Sequence, residues 1–481
     1  MPQRRSAGLA APADLNLKPE IKIAKNLMRR AVRAARGARW GVLCWYTAAR
    51  VAGALRPKWR RPPAGEPRPA ETGISVIIPS RNGKPLLEAQ LPGIARELES
   101  STAEIIVADN GSGDGTAEWL RAAWPQVRIE VSNEPLSFAS AVNRGIARAR
   151  YSHLCLLNND MLIEPGFFGA LVGAFERVPD LFCATAQIRF PEGVRREETG
   201  KTVMAQSHPE DFPIRCDEPL PGEDLSYVLY GSGGCSLYDA ARLRALGGVD
   251  QAYEPAYVED LDLGYRAWQR GWPSVYVAGA VVEHRHRATT SRYYTDAQLE
   301  RILEVNYLKF LVRAVASGKL FRKLWRQATR RLRTRVRPAL LRTAARMALG
   351  GGPPGVPEYP EELILALTSG AVAVFPGQLV PGRPRALVVS QYLASPLSAG
   401  FDPVLVAFTK RLAAPPPEIL AACVEVVLVL EDAASPAFRA ALHQTVRKWR
   451  PAVAHLEAPQ MAQYAADCAP ARAILVNFGA K

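Results

Sequence analysis

Three carboxylates fall within four residues at Glu259-Asp260-Leu261-Asp262, at the opening of a predicted helix over 262–270. One acid at that position is what the helix dipole favours. Three crowd one another, and crowding raises carboxyl pKa values, which suits a general base. A fourth acid, Asp160, ends the run His153-Leu-Cys-Leu-Leu-Asn-Asn-Asp160. Its short, uncharged body reads as a buried strand, with the polar turn at its carboxyl end. A carboxylate placed there can hold a hard cation, and the cation can hold phosphate oxygens; alone, the same residues are an ordinary turn. Asp109 opens a run of turn formers, Asp109-Asn-Gly-Ser-Gly-Asp-Gly-Thr116. This is not an EF-hand loop, because the twelfth position is Leu120 and not Glu. His284 follows an apolar run in a chain with only six histidines.

The elements that would position these groups alternate. Strands are expected at 74–78, 104–108, 127–131 and 154–157, with helices at 86–99, 116–123 and 138–149, and a later strand at 274–278. Strand-helix alternation at this spacing predicts an α/β fold with a mainly parallel, Rossmann-like sheet. Ligands of such sheets sit outside the carboxyl ends of the strands. Arg81, Asp109 and Asp160 all follow strand ends, so they can converge on one ligand.

The 481 residues exceed one ordinary domain. The net charge of +15 is uneven: residues 1–61 carry +13 and residues 301–350 carry +13, leaving an acidic body of −11. Both basic segments interleave Arg with Trp, Leu and Ile at helical spacing, the composition of interfacial helices, and are expected to meet an anionic membrane surface. No recognised nucleic-acid motif accompanies them, and no nucleic-acid partner is expected. The seven cysteines are scattered and odd in number, which argues against a disulfide framework. With no secretory signal and no apolar run of the ~20 residues that span a bilayer, a cytoplasmic protein is expected, peripheral on the inner face of the membrane. The boundaries read as a basic helical segment 1–61, a Pro-rich linker 62–71, a main domain 72–300, a second basic helical segment 301–348, a linker 349–383 and a small α/β unit 384–481.

In this order the motifs resemble a family 2 inverting glycosyltransferase of the GT-A fold, over roughly 72–315. The residues that carry the resemblance are Val76-Ile-Ile-Pro-Ser-Arg-Asn82, Asp109 with its Asn-Gly-Ser turn, Ser137–Gly145, Asn158-Asn159-Asp160 in place of the family's DxD, Gly247-Gly-Val-Asp250, Glu259-Asp260-Leu-Asp262 and His284, with Thr289 after it. The resemblance implies that Asp160 and His284 hold a divalent cation, Mg²⁺ or Mn²⁺, on the diphosphate. It implies that Pro79, Ser80, Arg81, Asn82 and Asp109 line the nucleoside, and that Asn143, Asn159 and Gly233 also contact the donor. Asp260 would be the base, with Glu259 and Asp262 placing the acceptor or tuning Asp260. Asn158 departs from a strict DxD, so the metal is held by fewer charges; the Gln-x-x-Arg-Trp of processive synthases is absent. The implied reaction moves a sugar from a nucleoside diphosphate, UDP or dTDP, to a glycan or lipid-linked acceptor in surface polysaccharide synthesis. The alternatives are an inactive nucleotide-sugar-binding scaffold or a sugar-nucleotide nucleotidyltransferase. Residues 384–481 resemble the acceptor-side half of a family 4, GT-B glycosyltransferase, cut short before a nucleotide-binding half.

Overall fold

A computed structural model describes residues 38–56, 65–68, 70–191, 193, 200–285, 293–350, 357–391, 393, 400–411, 413–430, 435–457 and 459–475. The basic stretch 1–37, Pro62, Pro63, Thr289 and residues 351–356 of the expected linker lie outside the described residues.

Four strands near the start of the main domain are parallel: β1 (Glu71–Ser80), β2 (Ala103–Asn110), β3 (Arg128–Ser132) and β4 (Tyr151–Leu157). Their order is β3-β2-β1-β4, and the sheet continues through β10 (Cys235–Asp239), β6 (Cys183–Arg189), β11 (Ser274–His284) and β5 (Met161–Ile163). β6 and β11 run parallel, while β10 pairs antiparallel with both β4 and β6. Helices Lys84–Leu98, Thr116–Ala123 and Phe138–Arg148 make the crossovers between the parallel strands, as a right-handed βαβ chain requires. This is the mainly parallel α/β sheet that the sequence predicts. The β-branched cores of β1 and β2, Val76, Ile77, Ile78 and Ile105, Ile106, Val107, are buried, because both faces of the sheet are covered by helices.

The second basic segment is not one stretch but three helices, Asp296–Arg313, Gly318–Thr334 and Pro338–Gly350. Their apolar sides face inward. Phe321, Leu324, Trp325, Ala328 and Leu332 are buried, and the Trp325 indole N–H donates to the Ala49 carbonyl of helix Ala38–Ala54 at 2.9 Å. The expected membrane contact of residues 301–348 through this apolar side is therefore corrected: protein covers it. Among the described residues no helix is long and apolar enough to cross a membrane.

The expected linker 349–383 is also corrected. It holds helix Glu361–Leu367 and strand β12 (Val372–Pro376), the edge of a second sheet. That sheet runs β12-β15-β14-β13-β16-β17, where β13 is Arg385–Ser390, β14 Asp402–Phe408, β15 Glu425–Val429, β16 Val453–Leu456 and β17 Arg472–Leu475. All its pairs are parallel except β12–β15. The short connection between β13 and β14 does not prevent parallel pairing, and the register runs unbroken from Arg385 opposite Asp402 to Ser390 opposite Ala407. The unit docks on the main domain by exchanged backbone contacts. Asp224 N donates to Val374 O at 3.1 Å, and Val374 N donates to Ser226 Oγ at 3.0 Å.

Candidate active site

The carboxyl ends of β1 and β4, the loop 230–234 and the turn before helix Glu259–Gln269 surround a cleft of about 290 Å³. Pro79, Ser80, Arg81, Asn158, Asn159, Asp160, Gly233, Glu259 and Asp260 all line it. The two acidic features that are about 100 residues apart in sequence thus share one cavity.

Asp160 is placed from two sides. Helix Lys84–Leu98 sends the buried amide of Gln90 to the carbonyls of Asn158 and Met161, at 2.6 and 2.7 Å, which fixes the turn. β5 then pairs antiparallel with the end of β11, His284 opposite Met161, so that Arg285 N donates to Asp160 O at 2.9 Å. The His284 Nε2 stands 3.6 Å from Asp160 Oδ2, while Asp160 Oδ1 is buried with no hydrogen-bond partner among the described residues. A carboxylate oxygen kept from water without a donor, beside an imidazole nitrogen, suits a cation with oxygen-rich remaining ligands. Among the described residues no group of three or more His, Cys, Asp or Glu converges as a metal cage.

Asn159 anchors to Ser80, its Nδ2 donating to Oγ at 2.9 Å. Arg81 lies with its guanidinium 4.1 Å from the ring centre of Tyr293, and Asn82 Nδ2 donates to the Tyr293 hydroxyl at 3.1 Å. Asn82 therefore stands behind the wall rather than on it. Asp109 pairs in register with Ser80. It is buried, its carboxyl is raised by that burial against hydrogen bonds from Ser112, and the neighbouring Asn110 lines the cleft in its place.

Two expected site residues are corrected. Asn143 does not reach the cleft: its amide clamps Val249, donating to O at 2.7 Å and accepting from N at 2.9 Å. Gly248, at φ +73, passes so close that a Cβ there would stand 2.5 Å from Asn143 Oδ1, which is why the Gly-Gly turn fits and a larger residue would not. Asp262 is fully buried and turned away from the cleft. It accepts from the Tyr253 hydroxyl at 2.9 Å and from Arg266 Nε at 2.7 Å. Arg266 in turn reaches the carbonyls of Leu246 and Gly248. Asn143 ties the Gly-Gly-Val-Asp turn to helix Phe138–Arg148, and Asp262 with Arg266 ties it to the acidic helix; neither Asn143 nor Asp262 lines the cleft.

Asp260 accepts from the Leu261 N–H at 2.7 Å, and a side chain at Gly233 would stand against its Cβ and Phe138. Glu259 beside it is buried. Burial first, and then the Asp260 charge, push its carboxyl up to about 8. Unfolded, Glu259 ionises near the ordinary value, so the folded state holds one more proton between roughly pH 4.5 and pH 8. That group costs stability as pH rises through this window. Glu259→Gln is expected to raise the melting temperature at pH 8 by a few degrees, on the order of 1 kcal/mol, and to leave it unchanged near pH 4.5. Thermal melts of both proteins across that range check it; an equal offset at both ends would contradict the assignment.

The turn that enters the acidic helix is strained. Tyr257 and Val258 have φ of +70 and +80, a region that a β-branched residue scarcely visits. Asn306, buried on helix Asp296–Arg313, holds it. Its Nδ2 group donates to Tyr253 O at 2.5 Å, Ala256 O at 2.8 Å and Tyr257 O at 3.1 Å. Asn306→Leu strands those carbonyls, each at about 1–3 kcal/mol. It is expected to lower kcat at least tenfold while donor KM stays within about threefold; equal changes in both would reduce Asn306 to a packing residue. Gln90, Asn110, Tyr293 and Asn306 were not singled out from the sequence. The available signal was a lone amide on an apolar helical stripe: Gln90 among Leu87, Leu91 and Ile94, and Asn306 beside Tyr307 and Phe310.

Residues 69–300 match the family model described as "Glycosyltransferase like family 2". This stretch, just under half of the chain, is similar to family 2 glycosyltransferase domains. An N-acetylglucosaminyl-diphospho-decaprenol L-rhamnosyltransferase of Mycobacterium tuberculosis (strain CDC 1551 / Oshkosh) is 28% identical over 243 residues, 46% of this chain and 78% of that protein. A validoxylamine A glucosyltransferase of Streptomyces hygroscopicus subsp. jinggangensis is 26% identical over 223 residues, 42% of this chain and 52% of that protein, about half its length. Among solved structures, GalNAc-T7 with UDP, GalNAc and Mn²⁺ superposes with a TM-score of 0.42 at 15% identity, covering 66% of this chain and 62% of that one. The protein is a glycosyltransferase, and every residue that lines the cleft described above lies within the matched stretch.

Proposed function

We propose that the glycosyltransferase transfers one sugar from a nucleoside diphosphate to a hydroxyl of a lipid-linked or glycan acceptor, with inversion at the anomeric carbon. The observation that carries this reading is the shared cleft, with Asp160 on one wall and Asp260 on another. The donor lies with its nucleoside along Pro79–Arg81 and its diphosphate toward Asp160. Asp160 and His284 fit a divalent cation, which when bound would offset charge on the leaving diphosphate. Asp260 accepts the proton of the acceptor hydroxyl. As that oxygen bonds to the anomeric carbon from one face, the bond to the diphosphate oxygen breaks on the other, and the nucleoside diphosphate leaves. Glu259, held protonated by its burial beside Asp260, does not compete as a base at neutral pH.

The lipid-linked acceptor is supported by the mycobacterial relative's name; UDP and dTDP are the two nucleotides of the proposal. A role in surface polysaccharide synthesis follows from such an acceptor. The C-terminal sheet is proposed as a GT-B-like unit that buttresses the main domain. The test is to incubate the purified protein with UDP-, dTDP- and GDP-sugars and polyprenyl-diphosphate-linked acceptors, and to assign the product anomer by NMR. A product of inverted configuration is expected; a retained one would overturn the role of Asp260 as base.

A further inference from the structure

Helix Ala38–Ala54 packs one side into the helices Gly318–Thr334 and Pro338–Gly350, with Val42, Ala49 and Ala52 buried. Gly53 lies so close to Trp325 that a Cβ would stand 2.4 Å from its ring. Just past the helix, Arg56 donates to the carbonyls of Val312 and Val315 and lies 4.0 Å over the Phe321 ring. The helix is thus held rigidly, and its other side faces outward. That side carries Trp40, Leu43, Thr47, Val51, Ala54 and Leu55, spaced by three and four residues and so on one face. Trp40 is 68% exposed, Leu43 44%, Val51 48% and Leu55 37%. Among the described residues these are four of the nine exposed large apolar side chains, and the other five are scattered. A run of this kind on a water-facing surface marks an interaction site.

The surroundings decide the partner. No acidic residue occurs from Ala38 to Leu55. The neighbouring helix presents Arg322, Lys323, Arg326, Arg330 and Arg333 to solvent, with Arg333 5.0 Å over the ring of Tyr46. An apolar strip led by Trp and rimmed by cationic side chains is complementary to a bilayer with anionic headgroups: the strip enters the acyl boundary and the rim meets the phosphates. We infer that the outer face of helix Ala38–Ala54 is the surface by which this protein docks on an anionic membrane. This assignment narrows the membrane contact expected of the first basic segment to one exposed face, while protein covers the apolar sides of residues 301–348. It stands independently of the donor chemistry, and it would bring a lipid-linked acceptor to the enzyme.

The test uses the full chain and sedimentation with vesicles of phosphatidylcholine alone or with phosphatidylglycerol, at low and high salt, beside duplex DNA as a competing polyanion. Wild type is expected to bind the phosphatidylglycerol vesicles, to lose at least tenfold in affinity at high salt, and to bind DNA more weakly. The variant Trp40→Glu with Val51→Glu is expected to lose at least tenfold in vesicle affinity while its melting temperature and metal-dependent nucleotide binding are unchanged, since both side chains are exposed. Wild-type affinity in this variant would overturn the inference, as would no vesicle binding by wild type or equal binding to DNA. A wild-type dimer that the variant converts to monomer, without vesicle binding, would assign the face to a second copy of the chain and overturn it too.

Discussion

Asp260→Asn is expected to lower kcat for sugar transfer by about 10²–10⁴-fold, the usual contribution of a positioned general base. Asparagine keeps the size of the side chain and can still accept from the Leu261 N–H, so the helix start should hold. What it loses is the ability to take the acceptor proton. Donor KM is expected to stay within about threefold, because Asp160, Arg81 and the Pro79–Ser80 wall are untouched. The variant should still show metal-dependent stabilisation by nucleotide. That split separates a base from a residue that merely shapes the cleft. Transfer at the wild-type rate would remove Asp260 from the mechanism and favour an inactive scaffold, or a base elsewhere.

Asp160→Ala is expected to fail at an earlier step. Its carboxylate is the acid beside His284, and among the described residues its buried Oδ1 has no donor. Removing it leaves the imidazole alone to hold a cation. Affinity for nucleoside diphosphate in the presence of Mn²⁺ is expected to fall about 10²-fold, roughly 2.7 kcal/mol, while the small metal-independent part remains. Because a buried carboxylate with an unsatisfied oxygen costs stability, the apo variant should melt no lower than wild type. A variant that is destabilised but keeps its metal-dependent affinity would make Asp160 a structural turn residue, the plainer meaning its sequence first allows.

The parallel core was legible because it rests on local patterns: β-branched runs that end in Pro-Ser-Arg, Asp-Asn-Gly and Asn-Asn-Asp, each followed by a helical stretch. Helix Thr116–Ala123 and strand Arg385–Ser390 fall where the spacing puts them. β10 was not read, because a single antiparallel strand buried in the middle of a mainly parallel sheet has no signature that separates it from a loop of small residues such as Cys235-Ser-Leu-Tyr. The cleft residues that sit at strand ends were legible for the same reason as the strands. Asp262 and Asn143 were misassigned because sequence proximity to Asp260 and to the cleft says nothing of which way a helical side chain turns. Asp262 lies two positions after Asp260, about 200° around the helix, and so faces Arg266 and Tyr253. Asn306 was invisible for a different reason: its partners are backbone carbonyls about 50 residues away, and no residue type announces that.

The helices after residue 300 show how charge can mislead. Their arginines suggested a surface for lipid, yet the apolar residues between them close over the turn that holds the acids and over helix Ala38–Ala54. Arg331 is itself buried against Glu304 at 2.7 Å. The basic residues that stay exposed are those of the rim, and the apolar strip beside them comes from a different part of the chain.

The most direct measurement is thermal denaturation of the wild type and Asp160→Ala with UDP, dTDP and GDP, each with and without Mn²⁺. A ligand bound only by the folded state raises stability with RT ln(1 + [L]/Kd), about 2.7 kcal/mol at a hundred times Kd. The account predicts that at least one nucleoside diphosphate stabilises the wild type by several degrees with Mn²⁺ and much less without it, and that Asp160→Ala abolishes the metal-dependent part. Wild-type protein that no nucleoside diphosphate stabilises in the presence of the metal would contradict a donor site in this cleft.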